Sequence, residues 1–438
     1  MMPIPDWGLC RGNHSLSLDP SGGSSEMRFR TSSRRFRLSR ITTITLKLMA
    51  LIAIGCRRNG EKPVTALPNP AAAGSICPNE TRTRDGGILL SWLEPTNDSL
   101  ALRFAIRHGE QWSSIQTIVV RKNFDKYPEA PPWVLSLAPG SLVAIWAEQL
   151  PPGKSKWPGD YLLSAVSSDG GANWSQPVII HSDRTDGEHS FASIVPQDDT
   201  HAAIVWLDSR DYETRHTYRL MSAVISSSGA VSSETTVDND VCTCCPTALI
   251  RTPNGLVAAY RNHTSDEIRD IYTAHEMFAR WQNGQSLHQD NWHINGCPVN
   301  GPSLASNRND VVAVWFTGKE DRASVQIGFS PDGGTTFQSF ATLDSDEGDK
   351  RVLGRVSVVV LDSGDALVSW IRRQAGKSQL ILAYVREDGS VLNSQVIAEG
   401  SSDSLGYPRM QNDGSQVLVA WGGTEQTGRI RTSRIASH

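Results

Sequence analysis

Five stretches of this sequence gather residues able to hold an anion or move a proton. "TDGEHSF" carries Asp186, Glu188 and His189, and "WLDSRDYETR" carries Asp208, Arg210 and Asp211. "YRNHTSDEIRD" supplies Arg261, His263, Asp266, Glu267, Arg269 and Asp270, while "RVLGRVS" and "GYPRM" add Arg351, Arg355, Tyr407 and Arg409. Guanidinium forks match carboxylates in shape and stay charged, so clustered arginines suit an anionic ligand. Carboxyl groups beside them suit proton transfer. The same charges can equally form a solvated rim braced by local ion pairs, and His189 can equally be a hydrogen bonder that fixes its loop.

A second constellation is made of sulfur. The cysteines are Cys10, Cys56, Cys77, Cys242, Cys244, Cys245 and Cys297. "CTCCPT" and "NGCPVNGP" concentrate four of them beside prolines. In an exported chain such density implies disulfides, with Cys297 a partner for Cys242, Cys244 or Cys245 and the pairing left open. A thiolate site for Cu(I) or Zn is the alternative. The expectation is disulfides, with no metal and no cofactor.

The elements that must position these residues repeat. An apolar strand ending in an aromatic recurs at Trp92, Trp146, Trp206, Tyr260, Trp315, Trp370 and Trp421, at spacings of 54, 60, 54, 55, 55 and 51. Each unit reads as four short antiparallel strands with no helical period, which predicts an all-β propeller of seven blades, six being the alternative if the end units merge. The seventh unit lacks a fourth strand, and a segment around Val64–Leu67 is available to supply it. In such a ring, the loops leading into first strands and those joining second to third strands share one face. The charged stretches and the cysteines therefore gather there. The turns "SSDGGANW" and "SPDGGTTF" fall between third and fourth strands on the other face. Their Ser-x-Asp-x-Gly-x-x-aromatic pattern locks a hairpin and needs no ligand.

That turn resembles the Asp-box, or BNR repeat. Together with "EHSF", "WLDSR", "CTCCPT", "YRNHTSDEIRD" and "NGCPVNGPS", it makes residues 75–435 resemble the bacterial sialidase-like, or exo-alpha-sialidase-like, propellers. The resemblance implies a glycoside hydrolase acting on terminal sialic acid or a related anionic sugar. In that reading Arg210, Arg261, Arg269, Arg355 and Arg409, with His189, bind the substrate. Asp208, Glu188 and Glu267 are the acid and base candidates, and Tyr407, or Tyr212, is the nucleophile that sialidases use in place of a second carboxylate. The Arg-Ile-Pro tripeptide common in sialidases is missing, which favours the alternative of a non-catalytic propeller that binds glycans or proteins.

The N-terminus has its own composition. Residues 1–55 hold eight Lys/Arg against three Asp/Glu, while the chain as a whole carries −4. A basic run from Met27 followed by "LMALIAIG" suits a signal peptide and is too short to span a membrane as a helix. "AIGC" resembles a lipobox, which implies lipidation at Cys56. The expected division is a leader over 1–55, a lipidated tether over 56–74 and a propeller over 75–438. The expected location is the bacterial envelope, periplasm or outer membrane, with the lipid as the sole membrane contact. The acidic remainder gives no basic field for nucleic acid, and a monomer is expected.

Overall fold

The structure, a computed structural model, describes residues 63–436 apart from 152–158 and 426; the leader and Cys56 lie outside the described residues. Seven antiparallel sheets form a ring. Their first strands are Ile76–Arg82, Trp133–Ala138, His189–Pro196, Ala248–Thr252, Ser303–Asn307, Arg351–Val360 and Arg409–Asn412. These strands touch one another in cyclic order around the axis. The count of seven is therefore settled by the structure. The last sheet takes Val64–Leu67 as its outer strand, paired with Ile430–Ala436 from Val64 opposite Ile435 to Leu67 opposite Thr432. The ring is closed by residues that lie within the span expected as tether.

The second strands explain why these segments are so apolar. His201–Asp208 is buried from Ala202 to its end. Neighbouring blades cover both faces of each sheet, so alternation gives way to continuous apolar runs. The repeated aromatic is buried in every blade. In six blades its polar atom meets a carboxylate. Trp92, Trp146 and Trp206 donate to Glu94, Glu148 and Asp208 two residues along the same strand, at 2.8, 2.8 and 3.0 Å. Tyr260, Trp315 and Trp370 instead donate to Asp238, Asp290 and Asp344 of the preceding blade, at 2.5, 2.8 and 2.9 Å. A buried ring thus keeps its hydrogen bond, and in half of these cases the bond also ties two blades together.

The Asp-box turns are locks. Ser167 Oγ donates to Asp169 and accepts from Gly171 N, each at 2.9 Å, and Asp169 accepts from Asn173 N at 2.9 Å. Ser330, Asp332, Gly334 and Thr336 repeat the pattern. Gly171 has φ +92°, and a Cβ there would lie 2.5 Å from Phe104 of the preceding blade, so the turn admits glycine alone. Trp174 meets the same Phe104 edge-on at 6.2 Å.

Candidate functional site

The loops leading into the first strands converge at one mouth of the ring, and local backbone irregularity aims their side chains. The first strands of blades 1, 3 and 6 break register between Ile76 and Asn79, Ser190 and Ser193, and Gly354 and Ser357. Cys77, Phe191 and Arg355, all non-glycine residues, take positive φ of 53°, 54° and 56° at these breaks. A bulge redirects a side chain at a cost in backbone strain, and such strain concentrates where orientation matters.

Two groups of residues gather at this mouth. The first is acidic. Glu188 accepts a 2.7 Å hydrogen bond from the Tyr218 hydroxyl and a 3.1 Å bond from Ser190. Asp125, from the loop leading into blade 2, is 4% exposed; its Oδ1 accepts from Lys126 N, while Oδ2 has no partner. Burial, with Glu188 nearby, pushes the Asp125 carboxyl up to about 7. Burial also raises Glu188, and burial with the neighbouring Glu188 and Asp125 charges raises Asp160. Burial and the adjacent Glu188 hold the Tyr218 phenol well above its ordinary value, so it remains the donor in that pair.

The second group is basic. The Arg355 guanidinium stacks over the Tyr407 ring at 4.8 Å and donates through Nη1 to Ser402 O at 2.9 Å and Gly406 O at 3.0 Å. Arg409 Nη2 reaches Glu129 O at 3.4 Å, and its buried Nε has no partner. Tyr407 donates to Val299 O at 3.0 Å. Burial raises Glu129, and Arg355 and Arg409 oppose that shift. Cys77 lies within electrostatic reach of both Asp125 and Arg409, which places the two groups at one site.

The remaining candidates are engaged elsewhere. Asp208 is fully buried and takes Trp206 Nε1 together with a two-pronged Arg210 pair at 2.8 and 2.7 Å; Arg210 continues to Glu234 at 2.8 Å. Arg261 is 2% exposed, lies over Trp292 at 4.9 Å, and donates to Asn300 O, Arg269 O and Phe316 O. Arg269 donates to Ile294 O, Glu267 and Cys242 Sγ. Glu267 is held by that arginine and by His263, which together keep its carboxyl below the ordinary range. His189 is fully buried, stacked on His181 at 3.6 Å, with Nδ1 2.8 Å from Asp160 O and Nε2 3.0 Å from Asp183. These residues brace loops and seams between blades. Tyr212 is two-fifths exposed on a short turn of helix and packs edge-on against Tyr218.

Of the residues singled out in the sequence, the mouth therefore brings together Glu188, Arg355, Tyr407 and Arg409. Sequence reasoning missed Asp125, Glu129, Asp160 and Tyr218. "NFDKYPEAPPW" leads into blade 2 as "EHSF" leads into blade 3, so position in the repeat could have flagged Asp125 and Glu129. Tyr218 carried no such signal, being one strand residue among many.

The sulfur cluster lies between blades 4 and 5. Cys244 and Cys297 form a disulfide, with Cα atoms 6.3 Å apart, and Cys242 and Cys245 are buried thiols beside it. Open clefts lined by Arg84, Asp198 and Arg251, and by Thr252, His275 and Met277, lie on the opposite face.

Comparison with known proteins agrees with this architecture. Residues 94–419 match the family described as BNR repeat-like domain. No curated protein sequence matches the chain. Among solved structures, an ulvan lyase of a polysaccharide lyase family is 12% identical, with 87% of this chain and 96% of that chain covered at a TM-score of 0.51. A Dyadobacter fermentans protein of unknown function is 15% identical, covering 86% and 98% at 0.47. The NanB sialidase of Streptococcus pneumoniae is 11% identical, covering 86% and 69% at 0.42. Identities this low bear on fold alone.

Proposed function

We propose that this chain, which belongs to the BNR repeat-like domain family, is a carbohydrate-active propeller that takes an anionic sugar at the axial mouth. The observation that carries the reading is a pair of buried orphans at that mouth: Asp125 Oδ2, an oxygen without a partner, and Arg409 Nε, a donor without an acceptor. A buried polar atom left unpaired costs about 1–3 kcal/mol, and such costs are retained where a ligand completes the bonds. An anionic sugar supplies both, a carboxylate for Arg409 and Arg355 and a hydroxyl or glycosidic oxygen for Asp125.

The finer reading is hydrolysis of sialidase type. Asp125, protonated up to about pH 7, gives its proton to the leaving oxygen. Glu188 takes the Tyr218 proton along their 2.7 Å bond, and the phenolate oxygen attacks the anomeric carbon. Water then attacks the anomeric carbon, giving one proton to the Asp125 carboxylate as the bond to Tyr218 breaks, and the released phenolate takes its proton back from Glu188. Tyr218 replaces Tyr407 in this role, since Tyr407 has no carboxylate on its hydroxyl and donates to a backbone carbonyl. The basic and apolar leader before Cys56 supports an exported, lipid-anchored location for this activity.

The test is a panel of fluorogenic sialosides and uronides offered to folded protein. Turnover that falls by about 100-fold or more in Asp125→Asn and Glu188→Gln supports hydrolysis. Saturable binding without turnover, weakened in Arg409→Ala, moves the protein to the glycan-binding alternative, which the structural commitment of Arg210, Arg261 and Arg269 favours. Neither binding nor turnover across anionic sugars overturns both.

A further inference from the structure

Beside the residues proposed to hold the sugar, the densest chemistry is the sulfur cluster at the seam of blades 4 and 5. Cys242 and Cys245 are 1% and 2% exposed, and Cys297 of the next blade's lead-in loop is half-buried. The Sγ atoms of Cys242 and Cys245 are 3.6 Å apart, those of Cys242 and Cys297 3.6 Å, and those of Cys245 and Cys297 3.9 Å. Thiolates sharing one tetrahedral ion at ~2.3 Å stand ~3.8 Å apart, so this triangle has the dimensions of three of its corners. Two residues separate Cys242 from Cys245, the spacing by which one loop offers two thiolates to the same ion. Cys244, between them, reaches Cys297 and is available as a fourth donor.

Two guanidiniums line the cluster. Arg269 Nη1 donates to Cys242 Sγ at 3.4 Å. Both guanidiniums are fixed by backbone carbonyls, Arg261 at Asn300 and Phe316 and Arg269 at Ile294, so this positive lining is rigid. An ion bound by three thiolates carries excess negative charge, and two fixed cations offset it.

We propose that Cys242, Cys245 and Cys297, with Cys244 completing the set, form a binding site for a thiophilic d10 cation, Cu(I) or Zn(II), that the Cys244–Cys297 disulfide closes. Cys297 cannot serve both partners. A dithiol reductant opens the site by exchange: two electrons and two protons pass from the dithiol to the disulfide, leaving Cys244 and Cys297 as thiols and the reductant as its own disulfide. The cation then binds as the thiol protons are released. Soft sulfur ligands without oxygen or imidazole favour this class of ion over Mg(II) or Ca(II). The site shares no ligand with the residues proposed to hold the sugar and needs no sugar.

The test titrates the whole protein with Cu(I) and, separately, Zn(II), each against a competing chelator, before and after reduction by a dithiol. The reduced protein is expected to take up one equivalent of at least one of the two ions, and the oxidised protein is expected to bind at least about 100-fold more weakly. Cys242→Ser and Cys297→Ser are each expected to lose about 100-fold or more, and Cys77→Ser to bind as wild type. Co(II) added to the reduced wild type reads the site without a variant, through intense sulfur-to-metal absorption. Failure of the reduced, folded wild type to bind either ion, or no effect of Cys297→Ser on binding, overturns the site. Equal affinity before and after reduction overturns the disulfide gate.

Discussion

Asp125 carries a pH signature that its replacement isolates. The carboxyl sits at about 7 in the fold against an ordinary 3.8, so the native state holds a proton that the unfolded chain has released between these values. The unfolded state then binds fewer protons, and stability falls as pH rises through this window, by about 1.4 kcal/mol per pH unit. Above pH 7 the loss levels off at about 4 kcal/mol; below about pH 4 it vanishes because both states are protonated. Asparagine preserves the shape and the acceptor for Lys126 N and lacks the charge. Asp125→Asn is therefore expected to lie within about 1 kcal/mol of wild type in guanidinium unfolding at pH 4.5 and to exceed it by about 2–4 kcal/mol at pH 8. Asp160, which Asp125 also pushes up, changes in the same direction. A gain of equal size at both pH values, or a loss at pH 8, would refute the claim that Asp125 is a desolvated, proton-holding acid. The same variant loses turnover if the acid is used in catalysis, so a more stable and less active protein is the expected pair of results.

Other outcomes follow from the bracing residues and the termini. Arg261→Met strands the carbonyls of Asn300, Arg269 and Phe316 and is expected to cost about 3–5 kcal/mol by chemical denaturation. Removing Val64–Leu67 exposes the edge of Ile430–Ala436, and a lower Tm with concentration-dependent aggregation is expected by calorimetry and light scattering. Cys56→Ser in the full-length chain is expected to abolish incorporation of labelled fatty acid and to release the protein from the membrane fraction, with glycan binding intact.

Part of this molecule was written in linear order. The recurring aromatic strand pointed to seven blades over six, because each sheet must bury both faces against neighbours and so repeats the same apolar run; the closed ring settled the count. The Ser-x-Asp-x-Gly turns were legible because their hydrogen bonds close within a few residues. The closing strand at Val64–Leu67 followed from a missing fourth member. Topology also put the charged loops at one mouth. What the sequence could not rank was which of those charges were free. Arg261 and Arg269 look like ligand clamps in "YRNHTSDEIRD", yet their partners are carbonyls and a thiol distant in sequence or across a blade seam. Arg355 and Arg409 are separated by a whole blade, and Glu188 meets Tyr218 only because strands 30 residues apart share a sheet. Burial decided the proton on Asp125, and closure of the ring decided that four cysteines from two loops share one point. Local bonding chose the turns and strands; desolvation and long-range partners, which exist only once the ring is closed, chose the site.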